Sequence, residues 1–167
     1  NDYVRDCLCR GEGTTYIYVM KWLANMVKGN KNTTALFFSG EQAERIQLTT
    51  ILQEYVLGPS LCEIFNTSAL KNEYNIKLIG KLLVEFQADD INVETIPQFK
   101  DYISTNYATY TKKYCRYSPI FINNINNYIV SGRGNEILTS DTRRVKTIHV
   151  SNNHINVCNK ILDGMED

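Results

Sequence analysis

The run Ala35-Leu36-Phe37-Phe38, closed by Ser39-Gly40, constrains this chain more than any other segment. A strand with one wet face alternates apolar and polar residues. A run without alternation buries both faces and needs cover on each side. A strand over Thr34 to Phe38 therefore predicts a parallel sheet with helices above and below it. Its neighbours agree. Upstream, Tyr16, Val19, Leu23 and Val27 recur at helical spacing, and Ile17, Met20 and Ala24 widen the stripe, so Thr14 to Lys28 reads as an amphipathic helix. Thr14 or Thr15 is the expected cap and Gly29 the stop. Downstream, Leu48 to Leu57 reads as a second helix, with Ile51, Leu52, Tyr55 and Val56 on its core face and Gly58-Pro59 ending it.

The alternation continues along the chain. Leu61 to Phe65 is a short strand, followed by a small helix capped near Asn66 or Ser68. Gly80-Lys81 opens a strand over Leu82 to Phe86, which runs into the acidic turn Gln87-Ala88-Asp89-Asp90. Val93 to Ser104 is helical, with Ile96, Phe99 and Ile103 inward and Pro97 in its first turn. Tyr107 to Tyr117 is basic and rich in tyrosine. Strands follow at Ile120 to Ile122, Asn127 to Val130 and Val145 to Val150, with a Gly/Arg-rich loop between the last two. The tail after Ser151 has room for one short helix, Ile155 to Leu162. The class predicted is α/β, a three-layer sandwich around a parallel sheet with a small β-hairpin insertion.

At 167 residues, 43% hydrophobic and 22% charged, the chain suits one folded domain rather than disorder. Its net charge is zero, so nucleic-acid binding would need a local basic patch. No stretch of 18 or more apolar residues occurs, which predicts no membrane span, and the start Asn1-Asp2-Tyr3 lacks a signal-peptide pattern. The missing initial methionine suggests a fragment of something longer. Five cysteines at irregular spacing (Cys7, Cys9, Cys62, Cys115, Cys158) read as reduced and unligated, because Cys7-x-Cys9 lacks the gap of a zinc site. The sequons at Asn32 and Asn66 are expected by chance in so Asn- and Thr-rich a chain. His149 and His154 have no neighbouring Ser, Cys or Asp pattern that suggests a triad. No metal, cofactor or catalytic residue is predicted.

Helix, strand, glycine turn, helix is also the setting of a phosphate-binding P-loop, G-x-x-x-x-G-K-[ST]. The segment here reads GEQAERIQ. Gly40 holds the first glycine position, but Arg45, Ile46 and Gln47 stand where Gly, Lys and Ser/Thr belong. Without the lysine nothing neutralises the phosphates, and without the hydroxyl a magnesium ligand is missing. Gly40 reads equally as an ordinary turn glycine or as the relic of a phosphate nest.

The order of segments resembles the superfamily 3 helicases, AAA+ motors of viral, plasmid and phage replication proteins. The parts that carry the likeness are YVMKWLANMVKGNKNTTALFFSG before the loop, IGKLLVEFQADD at the Walker B position, KKY before a strand, NNYIVSGRGN at the sensor strand and SDTRRVKTIHVS at the end. The resemblance implies a helicase-like AAA+ domain over residues 14–151, an N-terminal extension over 1–13 and a C-terminal tail over 152–167. In that family a pair of acids ends the Walker B strand; here those positions fall on Gln87 and Ala88, with Glu85 earlier and Asp89-Asp90 later. Glu85 is expected to be an edge or partner-facing carboxylate, and Asp89-Asp90 a solvated turn. The sensor asparagine is replaced by Gly132, with Asn135 three residues late. Arg143 and Arg144 match the place of an arginine finger, and with no triphosphate to sense they are expected at a subunit interface or in a salt bridge.

In the family a lysine-bearing hairpin tracks nucleic acid. Lys112, Lys113, Tyr114 and Arg116 stand near that position in YATYTKKYCRYSP, where cations beside aromatic rings suit single-stranded nucleic acid. The alternative is an amphipathic hairpin whose tyrosines pack inward. The expectation is a catalytically inactive helicase-like domain of a viral or mobile-element replication protein, serving as scaffold, oligomerisation or nucleic-acid-binding module. Its implied partners are other domains or subunits of a replication complex, single-stranded DNA or RNA, and further copies of itself, with no membrane partner. Its implied location is inside a host cell, in cytoplasm or nucleus. Two rivals stay open: an active NTP-dependent helicase with a diverged loop, and an unrelated α/β protein-interaction domain.

Overall fold

The computed structural model describes residues 2–40, 48–65, 70, 76–110 and 120–150. Five parallel strands form the main sheet: β1 (Ala35–Ser39), β2 (Cys62–Ile64), β3 (Leu83–Gln87), β6 (Asn127–Gly132) and β7 (Val145–His149). They lie in the order β2-β3-β6-β1-β7. A separate antiparallel pair, β4 (Tyr107–Tyr110) and β5 (Ile120–Asn123), makes the small hairpin sheet. The helices are α1 (Gly13–Val27), α2 (Leu48–Leu52), α3 (Ile96–Ser104) and α4 (Glu136–Ser140). The predicted α/β sandwich with its hairpin insertion is the observed architecture.

Strand alternation sorts the core into two layers. Leu36, Phe38, Leu83, Ile129 and Ile148 meet α1, α2 and the N-terminal turn Tyr3–Leu8. Phe37, Val84, Phe86, Tyr128 and Val130 meet α3 and α4 on the other side. The apolar run of β1 is buried at every position, as its lack of alternation requires. Each of its two phenylalanines contributes roughly 1.5–3 kcal/mol by leaving water. On the second face Phe86 meets Phe99 edge-on at 6.0 Å and stacks on Tyr128 at 6.1 Å.

Several expected details differ. The buried stripe of α1 is Thr15, Val19, Trp22, Leu23 and Met26, whereas Ile17 and Val27 are exposed. Neither threonine caps α1: Glu12 is the cap residue, and Thr14 and Thr15 donate to its carboxylate at 2.8 and 2.9 Å. α2 passes into a π-helical turn, Gln53–Leu57. That wider turn changes the phase of the apolar face, so Tyr55 and Val56 point outward and Leu48, Thr49 and Leu52 inward. α4 was absent from the expected elements. Cys7 is disulfide-bonded, so the expectation of wholly reduced cysteines fails; Cys9 and Cys62 are free. The small helix expected near Asn66 or Ser68 and the tail helix lie outside the described residues.

A ladder of asparagines holds the N-terminal edge of the sheet. Asn127, fully buried, accepts from the Asn32 N–H at 2.7 Å and donates to the carbonyls of Asn30, Leu82 and Ile125. Asn126 ties Leu78 to Lys81, and Asn124 ties Tyr102 to Thr105. Lys31 donates to the Tyr102 carbonyl at 2.6 Å and lies 5.4 Å from the centre of the Tyr128 ring. Burial lowers its pKa to about 8. The sequon residue Asn32 belongs to this ladder: its amide nitrogen donates to the Trp22 carbonyl and to Asn127.

Candidate functional site

Strand order selects where to look. The chain leaves β1 toward β2 on one side of the sheet and leaves β6 toward β7 on the other. Adjacent strands whose connections diverge open a crevice outside their carboxyl ends, the usual ligand position in open α/β sheets. Here the crevice is bounded by Ser39-Gly40, Ser131-Gly132 and the end of β3.

At these strand ends the main chain continues the sheet ladder. The Gly40 N–H donates to the Gly132 carbonyl at 3.1 Å, and the Val150 N–H donates to the Ser39 carbonyl at 2.9 Å. A Cβ on Gly40 would stand 2.6 Å from the Val150 carbonyl oxygen. The close passage of β7 thus accounts for glycine at this position, which favours the turn reading of Gly40 over the phosphate-nest reading. Gly132 has φ +149°, and a Cβ there would lie 2.8 Å from Ala88 Cβ. No asparagine fits at the sensor position. Asn135, the late alternative, is wholly engaged: its amide donates to the carbonyls of Ala88 and Ile91, and its oxygen caps α4 by accepting from the Ile137 and Leu138 N–H groups.

Among the described residues, Glu85 is the one acid beneath the crevice. It lies on an interior strand and is 5% exposed, so it is neither at an edge nor facing a partner, contrary to expectation. It shares the α1/α2 face with Gln87, as regular alternation requires. The Ser131 hydroxyl donates to its Oε1 at 2.5 Å. Thr49, on the first turn of α2, brings a second hydroxyl near the carboxylate; this Oγ1 is buried and makes no hydrogen bond of good geometry. Burial pushes the Glu85 carboxyl above its ordinary range, and the two hydroxyls pull it part of the way back. The fold type implies a magnesium–nucleotide site, and this donor set does not fit one. Glu85 is a single carboxylate whose charge is disfavoured, Asp89 is exposed in the turn beyond, and octahedral magnesium needs further oxygens. Among the described residues no cluster of three or more His, Cys, Asp or Glu could hold a metal ion.

The other expected site residues are dispersed. Arg45, Ile46 and Gln47 lie outside the described residues, as do Lys112, Lys113, Tyr114 and Arg116. Arg143 and Arg144 precede β7, at the edge of the sheet opposite the crevice. Arg144 is held within the domain: Nε donates to Ser104 Oγ at 2.7 Å and Nη1 lies 3.6 Å from Asp141 Oδ2. Asp141 also pairs with Lys100 at 3.0 Å. Arg143 is exposed. The hairpin shows what its sequence alone left open. Tyr107 is 69% and Phe121 71% exposed, and the register (Tyr107 opposite Asn123, Phe121 opposite Thr109) sets both rings on one face, diagonal to each other. Ile122, on the other face, packs against the core. The alternative, inward packing of tyrosine, does not hold at Tyr107.

These features define a P-loop-like α/β domain in which Gly132 lies against Ala88 and the described donor set does not fit magnesium. The chain is similar in structure to the C-terminal region (305–718) of NrS-1 in its apo form, with a TM-score of 0.70 at 20% identity over 88% of this chain and 37% of that one. Two structures of that region in its A form give TM-scores of 0.69 and 0.72 at 19% and 20% identity. The chain spans about a third of the length of these neighbours. At such identity the likeness shows the fold. No family model matches the sequence, and no curated protein matches it.

Proposed function

We propose that this chain is a catalytically inactive, helicase-like module of a viral or mobile-element replication protein, acting inside a host cell as a scaffold that binds single-stranded nucleic acid through its hairpin. The observation that carries the loss of catalysis is Gly132 lying against Ala88, which leaves no room for a γ-phosphate-sensing side chain. The absent P-loop lysine and hydroxyl, the misfit of Glu85 to magnesium and the capping duty of Asn135 point the same way. The observation behind nucleic-acid binding is the pair of exposed rings, Tyr107 and Phe121, on a ribbon that brackets the basic run of Lys112, Lys113, Tyr114 and Arg116. Rings of this kind stack bases without regard to sequence, and each is worth about 1–3 kcal/mol. Arg143, exposed beside the anchored Arg144, is the side chain available to a neighbouring copy or subunit.

A second reading, an NTPase with a diverged loop, is favoured by the Thr49 hydroxyl beside Glu85. Calorimetry with ATP and magnesium separates the two: no saturable heat is expected, and micromolar binding lost in Glu85→Gln would establish the second. For the hairpin, fluorescence anisotropy with single-stranded oligonucleotides should show binding that weakens as salt rises. Replacing Lys112, Lys113 and Arg116 with alanine should flatten the slope of log K against log salt by roughly two, at about 0.7 per phosphate contact. Binding unchanged in that triple variant and in Tyr107→Ala/Phe121→Ala would sink the nucleic-acid assignment.

A further inference from the structure

A second recess lies away from the crevice, along β7, the outer strand of the sheet. It measures about 380 Å³, and Arg10, Glu12 and Thr15 form one wall, with Lys146, Thr147 and His149 forming the other. We infer that this recess takes an extended acidic segment of a protein partner, added as a further strand to the edge of β7 that no described strand covers.

The main chain is the first ground. The Ala35 N–H bonds to the Arg144 carbonyl and the Val150 N–H to the Ser39 carbonyl, so the even-numbered residues of β7 face β1. Strand hydrogen bonding alternates. Thr147 and His149 therefore direct their N–H and C=O groups outward, into the recess. The opposite edge, β2, is only three residues long, a length that discourages strand addition. β7 is the longer open edge among the described residues, and its own register would set an added strand's hydrogen bonds.

Charge is the second ground, and it selects the occupant. A lysine on an edge strand commonly repels intruding strands. Lys146 does not shield this edge, because its ammonium folds back to within 5.8 Å of the centre of the Tyr18 ring on α1. Arg10, exposed and held at φ +55°, and His149 make no ion pair among the described residues. Two full cations and an imidazole thus face the recess. The single carboxylate, Glu12, accepts from the hydroxyls of Thr14 and Thr15, which with nearby Lys146 lower its pKa and keep it ionised, so two cations face one carboxylate and the balance stays positive. An added strand with alternate Asp or Glu would place carboxylates toward Arg10 and Lys146 while its backbone pairs with Thr147 and His149.

The test uses the full chain and two blocked hexapeptides, one alternating Asp/Glu with Val and the other alternating Lys with Val, followed by amide chemical shifts and hydrogen exchange. Saturable binding of the acidic peptide, with slowed exchange at Thr147 and His149 and none with the lysine peptide, is the expected result. Thr147→Pro removes one outward N–H while sparing the ladder to β1, a placement an edge strand accommodates, and it should abolish binding. Arg10→Glu with Lys146→Glu should weaken binding by about tenfold or more, as reversing complementary charges does. No binding up to about 1 mM, or binding that survives Thr147→Pro, overturns the inference. A concentration-dependent dimer that Thr147→Pro dissociates overturns it as well, because the occupant would then be a second copy of this chain.

Discussion

Gly132→Ala tests whether the crevice is closed by packing. Two separate penalties are expected. The backbone at φ +149° is one that a side chain rarely adopts, and such strain is worth on the order of 1–3 kcal/mol. The new Cβ would also stand 2.8 Å from Ala88 Cβ and 3.3 Å from the Ala88 nitrogen, inside contact distance in a fully packed region. Overpacking of that kind adds about 1–3 kcal/mol. Urea unfolding should therefore show a loss of about 2–6 kcal/mol at unchanged m-value. Gly134→Ala is the control, since a Cβ there meets nothing within 4 Å and the backbone has no positive φ; its effect should stay within about 0.5 kcal/mol. The pair Gly132→Ala/Ala88→Gly separates the two penalties. Removing Ala88 Cβ relieves the closest contact but leaves the backbone strain, so the cycle should give a favourable coupling of about 1–2 kcal/mol. A Gly132→Ala variant as stable as the Gly134→Ala control, or a cycle without coupling, would refute the claim that Ala88 closes the sensor position.

Three further outcomes are expected. Glu85 has a folded pKa raised above 4.5, so its contribution to stability is present below pH 4.5 and fades as pH rises through the folded value; Glu85→Gln should therefore gain on the parent as pH rises from 4.5 toward 7.5 in urea midpoints. Lys31 titrates near 8 when folded against 10.5 unfolded, so the unfolded chain holds the extra proton between these values and stability should rise with pH across that window; Lys31→Met should flatten the rise in thermal melts. Asn127→Leu removes the partner of the Asn32 N–H and of the Asn30 carbonyl, while the Leu82 carbonyl keeps the Asn127 N–H; a buried group left without a partner costs about 1–3 kcal/mol, so a fall of about 1–3 kcal/mol is expected by chemical denaturation.

Strand positions were legible because their physics is local. The unbroken ALFF run needed cover on both faces wherever it lay, and the strands expected over Leu82 to Phe86 and Asn127 to Val130 are observed at Leu83–Gln87 and Asn127–Gly132. The wrong letters of the loop were equally plain, since the absence of a lysine or a hydroxyl requires no coordinates. What sequence left open depended on contacts across many residues. Whether Gly40 is a phosphate nest or a packing glycine turns on Val150, and the vacancy at Gly132 turns on Ala88, 44 positions away. Asn135 looked like a displaced sensor and proves to be a helix cap, because only the folded chain brings the Ala88 and Ile91 carbonyls to its amide. Glu85 follows the same rule: alternation placed it on a face, but only strand order made that face interior. Tyr107 shows the reverse case, where tyrosine in an alternating hairpin suits either face until the packing of Ile122 decides which one is wet. Periodicity reports which side of an element is apolar; which elements lie against that side, and at what distance, is settled by tertiary packing alone.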